Sequence, residues 1–129
     1  MKTIGKMILG LLLFTSHHVY AVDKMETSNS IRFGMQAVFT AQPGKGEELA
    51  QILLQASQVV SHLEGCMIYL VQVASADQDK ILITEVWENQ EDQQTSLANT
   101  EVRELINRAR PLIVAMEHTP AKPLGGKGL

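Results

Sequence analysis

Two hydrophobic periods take turns along this chain, and the order in which they alternate leaves few folds open. From Ile31 to Ala41, the residues Ile31, Phe33, Met35, Ala37 and Phe39 fall on one side and Arg32, Gln36, Val38 and Thr40 on the other, the period of a strand. Pro43-Gly44 ends that pattern. Leu49, Ile52, Leu53, Ala56, Val59, Val60 and Leu63 then recur at helical spacing, with Gly65 as a C-terminal stop. Cys66 to Ala74 (CMIYLVQVA) and Lys80 to Glu88 (KILITEVWE) are rich in β-branched and aromatic residues, and the short polar stretch Ser75 to Asp79 joins them as a hairpin. Asn89 to Ala98 is a polar helix start, whose carboxylates between Glu88 and Asp92 suit the helix dipole. Thr100 caps a second helical piece, Glu101 to Ala109, which Pro111 closes. Leu112 to His118 (LIVAMEH) is a last strand.

The order β-α-β-β-α-β is the split arrangement of a ferredoxin-like α+β fold, with helices over one face of an antiparallel sheet. In the second strand Met67, Tyr69, Val71 and Val73 oppose Ile68 and Leu70, and in the last Leu112, Val114 and Met116 oppose Ile113 and Ala115. Strands that are apolar on both faces need cover on both. With helices for one face only, a second copy of the chain is the simplest cover, and a face-to-face homodimer is expected.

Residues 1–21 stand apart from this pattern. Lys2 and Lys6 precede the apolar run Met7 to Phe14, and Val19-Tyr20-Ala21 offers a small residue for cleavage, the layout of a secretory signal. The run is too short to span a bilayer, so the chain is expected to be exported, to a periplasm or the medium, with no membrane attachment after processing. Residues 22–30 then form a flexible lead-in, 31–119 the folded domain and 120–129 an irregular tail. Cleavage removes two lysines and no acid, taking the formal charge from −3 to −5. An acidic surface without a basic stripe repels phosphate backbones and anionic lipid, which argues against nucleic-acid and membrane-surface roles. Cys66 is the only cysteine, so no disulfide forms within the chain; no base neighbours it in sequence, and it reads as a small buried hydrophobe.

Pro43-Gly44-Lys45-Gly46, Glu64-Gly65-Cys66 and Glu85-Val86-Trp87-Glu88, in that order and spacing, resemble the antibiotic biosynthesis monooxygenase superfamily and its quinol monooxygenases over residues 35–118. Ser96-Leu97, Arg110-Pro111-Leu112-Ile113 and the Gly-Gly-Lys-Gly-Leu tail look like one branch of that group. The resemblance implies a dimeric α+β barrel and a pocket between sheet and helices. There a small phenol or hydroquinone would react with dioxygen, with no metal, flavin or other cofactor. Many quinol-oxidising relatives carry a histidine in the helix after the Glu-x-Trp motif; the position is Ser96 here, so no imidazole is carried over.

Oxidation of a hydroquinone by dioxygen begins with loss of a proton, because the anion gives up an electron far more readily than the neutral phenol. The site therefore needs a base and an apolar wall. His17 and His18 leave with the signal, so His118 and His62 are the candidate imidazoles. His118 shares a face with Leu112, Val114 and Met116, and is either a base at the pocket rim or a surface residue. His62 is either a base or a cation suited to the end of the first helix. Trp87, the only tryptophan, is a stacking wall, a core residue or an interface anchor. Glu85 shares its face and is either a proton acceptor with a raised pKa or the partner of Arg110 or Arg32 in an ion pair. Glu85, Ser96 and Tyr69 are the expected substrate contacts.

No Cys/His/Asp cluster has metal-ligand spacing, no Gly-x-Ser-x-Gly elbow occurs, and no helix follows the terminal Gly-Gly-Lys-Gly to receive a phosphate. Two other readings stay open: a haem-binding or haem-degrading relative, which would need an axial imidazole absent from Asn89 to Ala109, and a non-catalytic exported dimer that binds a small molecule.

Overall fold

The computed structural model describes residues 31–129, so the expected signal sequence and lead-in lie outside the described residues. Four strands and three α-helices follow in the order β1 Phe33–Ala41, α1 Gly46–Val60, β2 Cys66–Ala74, β3 Asp77–Trp87, α2 Gln90–Ser96, α3 Thr100–Ala109 and β4 Ile113–Ala121, with a 3-10 turn Arg110–Leu112 before β4. The sheet is antiparallel in the order β2-β3-β1-β4. This is the expected ferredoxin-like α+β fold.

Register assigns the faces. Ala37 lies opposite Ile83 and Phe39 opposite Ile81, while across the next ladder Tyr69 pairs with Glu85 and Val71 with Ile83. This inner face carries α1 and α3. Ile81 and Ile83 are buried against Leu49, Ile52 and Leu53 of α1 and Leu105 and Ala109 of α3. Complete burial of an aliphatic side chain contributes about 1.5–3 kcal/mol, so this layer is the main source of stability.

Several boundaries move from their expected places. Ile31 is exposed and precedes β1, and α1 ends at Val60 rather than near Gly65. The backbone N–H groups of Ser61, His62 and Leu63 turn back onto the last carbonyls of α1, which ends the helix early. The cap of α3 is Asn99, not Thr100: its side-chain oxygen accepts from the N–H groups of Glu101 and Val102 at 3.0 and 3.1 Å, and Thr100 is the first helical residue. β4 runs past His118 to Ala121, so the irregular tail begins at Lys122. It passes through Pro120, which an edge strand tolerates because one side of its backbone needs no partner.

β3 begins at Asp77, not Lys80, after the two-residue turn Ser75–Ala76, and a register shift between Val73 and Ala74 bulges it. The bulge carries Asp79 over the start of α1. Lys45 provides no side-chain cap there. Asp79 replaces it, accepting from the N–H of Gly44 at 3.0 Å and of Gly46 at 2.9 Å. The approach is close enough that a Cβ at Gly46 would collide with the carbonyl of Gln78, and Gly44 turns through a φ of +76°. Asp79→Ala is expected to lower stability by about 1–2 kcal/mol without altering the fold, measured by urea denaturation.

Candidate active site

A cavity of about 390 Å³ opens between the inner face of the sheet and the helices. α1 contributes Ile52, Leu53, Ala56 and Val60, and α3 contributes Val102, Leu105, Ile106 and Ala109, both at helical spacing. Sheet residues close the other side: Phe39, Tyr69, Glu85, Ile113 and Met116. Strict alternation would send Ile113 and Met116 to opposite faces. The register shift opposite Thr40 and Ala41 pairs Ile113 with Ala41 and Met116 with Phe39, so both reach the cavity. Leu97 and Met116, each about half exposed, stand where the cavity meets solvent.

The walls are apolar and the polar groups are few, as in sites that bind a small organic molecule and orient it with one or two contacts. Glu85 is central. Its Oε2 accepts a hydrogen bond from Trp87 Nε1 at 2.9 Å, and among the described residues its other oxygen accepts none. Burial in the apolar wall pushes its carboxyl above the ordinary range, while the hydrogen bond from Trp87 opposes part of that rise. Tyr69 is its neighbour across the ladder. Burial, with the nearby Glu85 carboxylate and Cys66, raises the Tyr69 phenol well above its usual value, so it remains a proton donor at neutral pH. Cys66 is raised in the same sense by burial first and Glu85 second. Ser96, buried at the end of α2, donates its hydroxyl to the carbonyl of Gln93 at 2.6 Å.

Tyr69, Glu85 and Ser96 thus share one cavity; His118, His62 and Trp87 do not line it. His118 pairs with Ala37 on the inner side, but β4 is an edge strand that is exposed there, beyond the cover of the helices. His62 is exposed just after α1, beside a shallow depression between α1 and α3. Trp87 is completely buried, so its ring is a core element that reaches the cavity only through its hydrogen bond to Glu85. The alternative of an ion pair between Glu85 and Arg110 or Arg32 does not form: among the described residues Lys45–Glu48 is the only ion pair. Arg110 lines the same cavity nonetheless. The wall formed by Leu97, Val102 and Ile106 was not anticipated, although the helical spacing of Val102, Leu105, Ile106 and Ala109 signals it. Among the described residues no three His, Cys, Asp or Glu side chains converge as a metal site would require, and no helix is long and apolar enough to cross a membrane.

A family model described as antibiotic biosynthesis monooxygenase matches residues 32–108. Among solved structures, a candidate antibiotic biosynthesis monooxygenase from Chloroflexus aurantiacus is 36% identical, with 74% of this chain and 95% of that one covered at a TM-score of 0.69. A similarly described protein from Deinococcus radiodurans is 24% identical, with 73% and 94% covered at 0.65. SnoaB from Streptomyces nogalater, described as a cofactor-independent oxygenase and solved as a single-residue variant, shares the fold at 13% identity, with 75% and 97% covered at 0.66. No curated protein matches the chain.

The raised Glu85 carboxyl has a consequence for stability. The folded state holds this proton more tightly than the unfolded chain, so its contribution is full below the unfolded pKa and is lost as pH rises through the folded one. Glu85→Gln is expected to flatten that decline in urea denaturation series run across acidic pH. Trp87→Phe removes the opposing hydrogen bond, and carboxyl-carbon NMR titration is expected to show the Glu85 pKa rising further.

Proposed function

The chain belongs to the antibiotic biosynthesis monooxygenase family, and from that premise we propose that it is an exported, cofactor-independent monooxygenase acting on a small phenol or hydroquinone. The observation that carries this reading is Glu85, a partly buried carboxyl group with one oxygen fixed by Trp87, in an apolar cavity sized for a small aromatic ring. Burial shifts it toward the proton affinity that a general base needs near neutral pH. Tyr69 stays protonated and, as part of the same cavity lining, would donate to the substrate oxygen.

The chemistry balances without an external reductant. Glu85 takes the phenolic proton, and the phenolate passes one electron to dioxygen. The resulting pair joins at a free ring carbon to give a hydroperoxide, which loses water to leave a quinone. One oxygen atom enters the ring and the other leaves as water with the phenolic and ring hydrogens. All four electrons taken up by dioxygen come from the substrate. The description of SnoaB as a cofactor-independent oxygenase on the same fold is consistent with this scheme.

Dimerisation is part of the proposal. The outer sheet face presents Val38, Ile68, Leu70 and Leu82 with incomplete cover, and Leu70 is 48% exposed. A second copy would bury this surface. Leu70→Glu is expected to convert a dimer into a monomer in sedimentation equilibrium; a wild-type monomer would remove the dimer from the proposal.

A binding-only role is favoured by one observation: Ser96, which takes the position where many quinol-oxidising relatives are expected to carry histidine, spends its hydroxyl on a backbone carbonyl. Oxygen uptake separates the two. Purified protein given a panel of hydroquinones and catechols, with autoxidation subtracted, is expected to consume dioxygen saturably and to incorporate one labelled oxygen atom. Glu85→Gln should lower kcat about a hundredfold. The wild-type rate should rise with pH as Glu85 loses its proton. Binding without uptake across the panel would leave the binding-only reading.

A further inference from the structure

The scheme above leaves one charged residue of the cavity without a task. Arg110 follows α3 as its C-cap, where its backbone N–H reaches the carbonyl of Ile106, and it opens the 3-10 turn that continues through Pro111. Its side chain is exposed and lines the same cavity as Glu85. It is the only cationic residue among those that line it. Among the described residues no carboxylate stands within 4.0 Å of its guanidinium. Burial raises the Glu85 carboxyl and the Trp87 hydrogen bond lowers it, with no contribution from a neighbouring cation. The two charges therefore sit at different parts of the cavity, with apolar wall from Leu105, Ile106 and Ile113 beside them.

We propose that Arg110 selects an anionic substituent, so that the ligand class of this cavity is a hydroxylated aromatic acid, held with its phenol toward Glu85 and its carboxylate at Arg110. The inference rests on the reading of the cavity as the substrate site. Each part of such a molecule meets its complement: the phenol meets an acceptor, the ring meets aliphatic wall, and the carboxylate meets a planar fork of N–H donors. The carboxylate stays near solvent, so neither ion loses its full hydration. The net charge of the whole chain is negative and repels anions at long range, so an anionic ligand needs a local cation of this kind. Arginine at a helix C-terminus also favours the helix dipole, but that role is indifferent to what the ligand carries.

The test compares 2,5-dihydroxybenzoate with its methyl ester, the same ring with and without the charge, by isothermal titration at neutral pH under nitrogen. Oxygen uptake on both is followed separately. Wild-type protein is expected to bind the acid about tenfold more tightly than the ester. Arg110→Gln should bring that ratio close to one and Arg110→Lys should keep part of it, with thermal melts confirming that each variant folds. A wild-type ratio near one, a ratio unchanged in Arg110→Gln, or no binding of either compound would overturn the assignment. Preference for the acid without oxygen uptake would support Arg110 and count against the oxygenase reading. Turnover of acid and ester with equal KM in wild type and Arg110→Gln would do the reverse.

Discussion

The cover of one sheet face by two helices is the constraint on which the rest of the molecule depends. Ile81 and Ile83 in β3 are buried only because α1 and α3 lie across them, and Leu49 is buried by the same contact. The sheet order β2-β3-β1-β4 puts β1 and β3 at the centre, where this cover buries Ala37, Ile81 and Ile83, and leaves β4 at an edge where it fails. The cavity lies where cover gives way to opening: full burial over Ile83, half-exposed Met116 and Leu97 beside solvent. A site at that boundary is dry enough to alter a carboxyl group and open enough to admit a ligand.

Two irregularities of the sheet set the details. The bulge near the start of β3 brings Asp79 to the amide groups at the head of α1, so that a residue distant in sequence caps the helix that forms one cavity wall. The shift between β1 and β4 turns both Ile113 and Met116 inward, giving the opposite wall two large side chains where alternation allows one. Both act by re-aiming side chains that a regular strand would send elsewhere.

The electrostatics of the site follow from its surroundings. Burial penalises the charged form of Glu85 and Tyr69 in the cavity wall and of Cys66 outside it, so all three shift upward. Trp87 acts on only one of them, through its N–H bond to Glu85. It thereby restrains the shift and orients the carboxylate, a different service from the stacking surface that its aromatic ring suggested.

Period and punctuation in the sequence were enough for the element order, the fold class and the inner face of β3, because hydrophobic spacing is a local property that survives into the folded state. Glu85, Tyr69 and Ser96, expected as substrate contacts with the family resemblance as the source for Ser96, share the cavity. Period and punctuation left His118 and His62 open between a base and a surface or helix-end residue, and both lie outside the cavity lining, since nothing local says that β4 outruns the helices above it or that α1 ends at Val60. They failed at the caps, where the choice between Asn99 and Thr100 turns on one residue of register. Which strand is an edge, where a bulge reverses a face and which charges end in one cavity depend on contacts between residues far apart in the chain. The sequence alone thus determined the elements and their buried stripes; the packing of those stripes on a single sheet decided that the carboxylate, not an imidazole, stands in the cavity with the arginine.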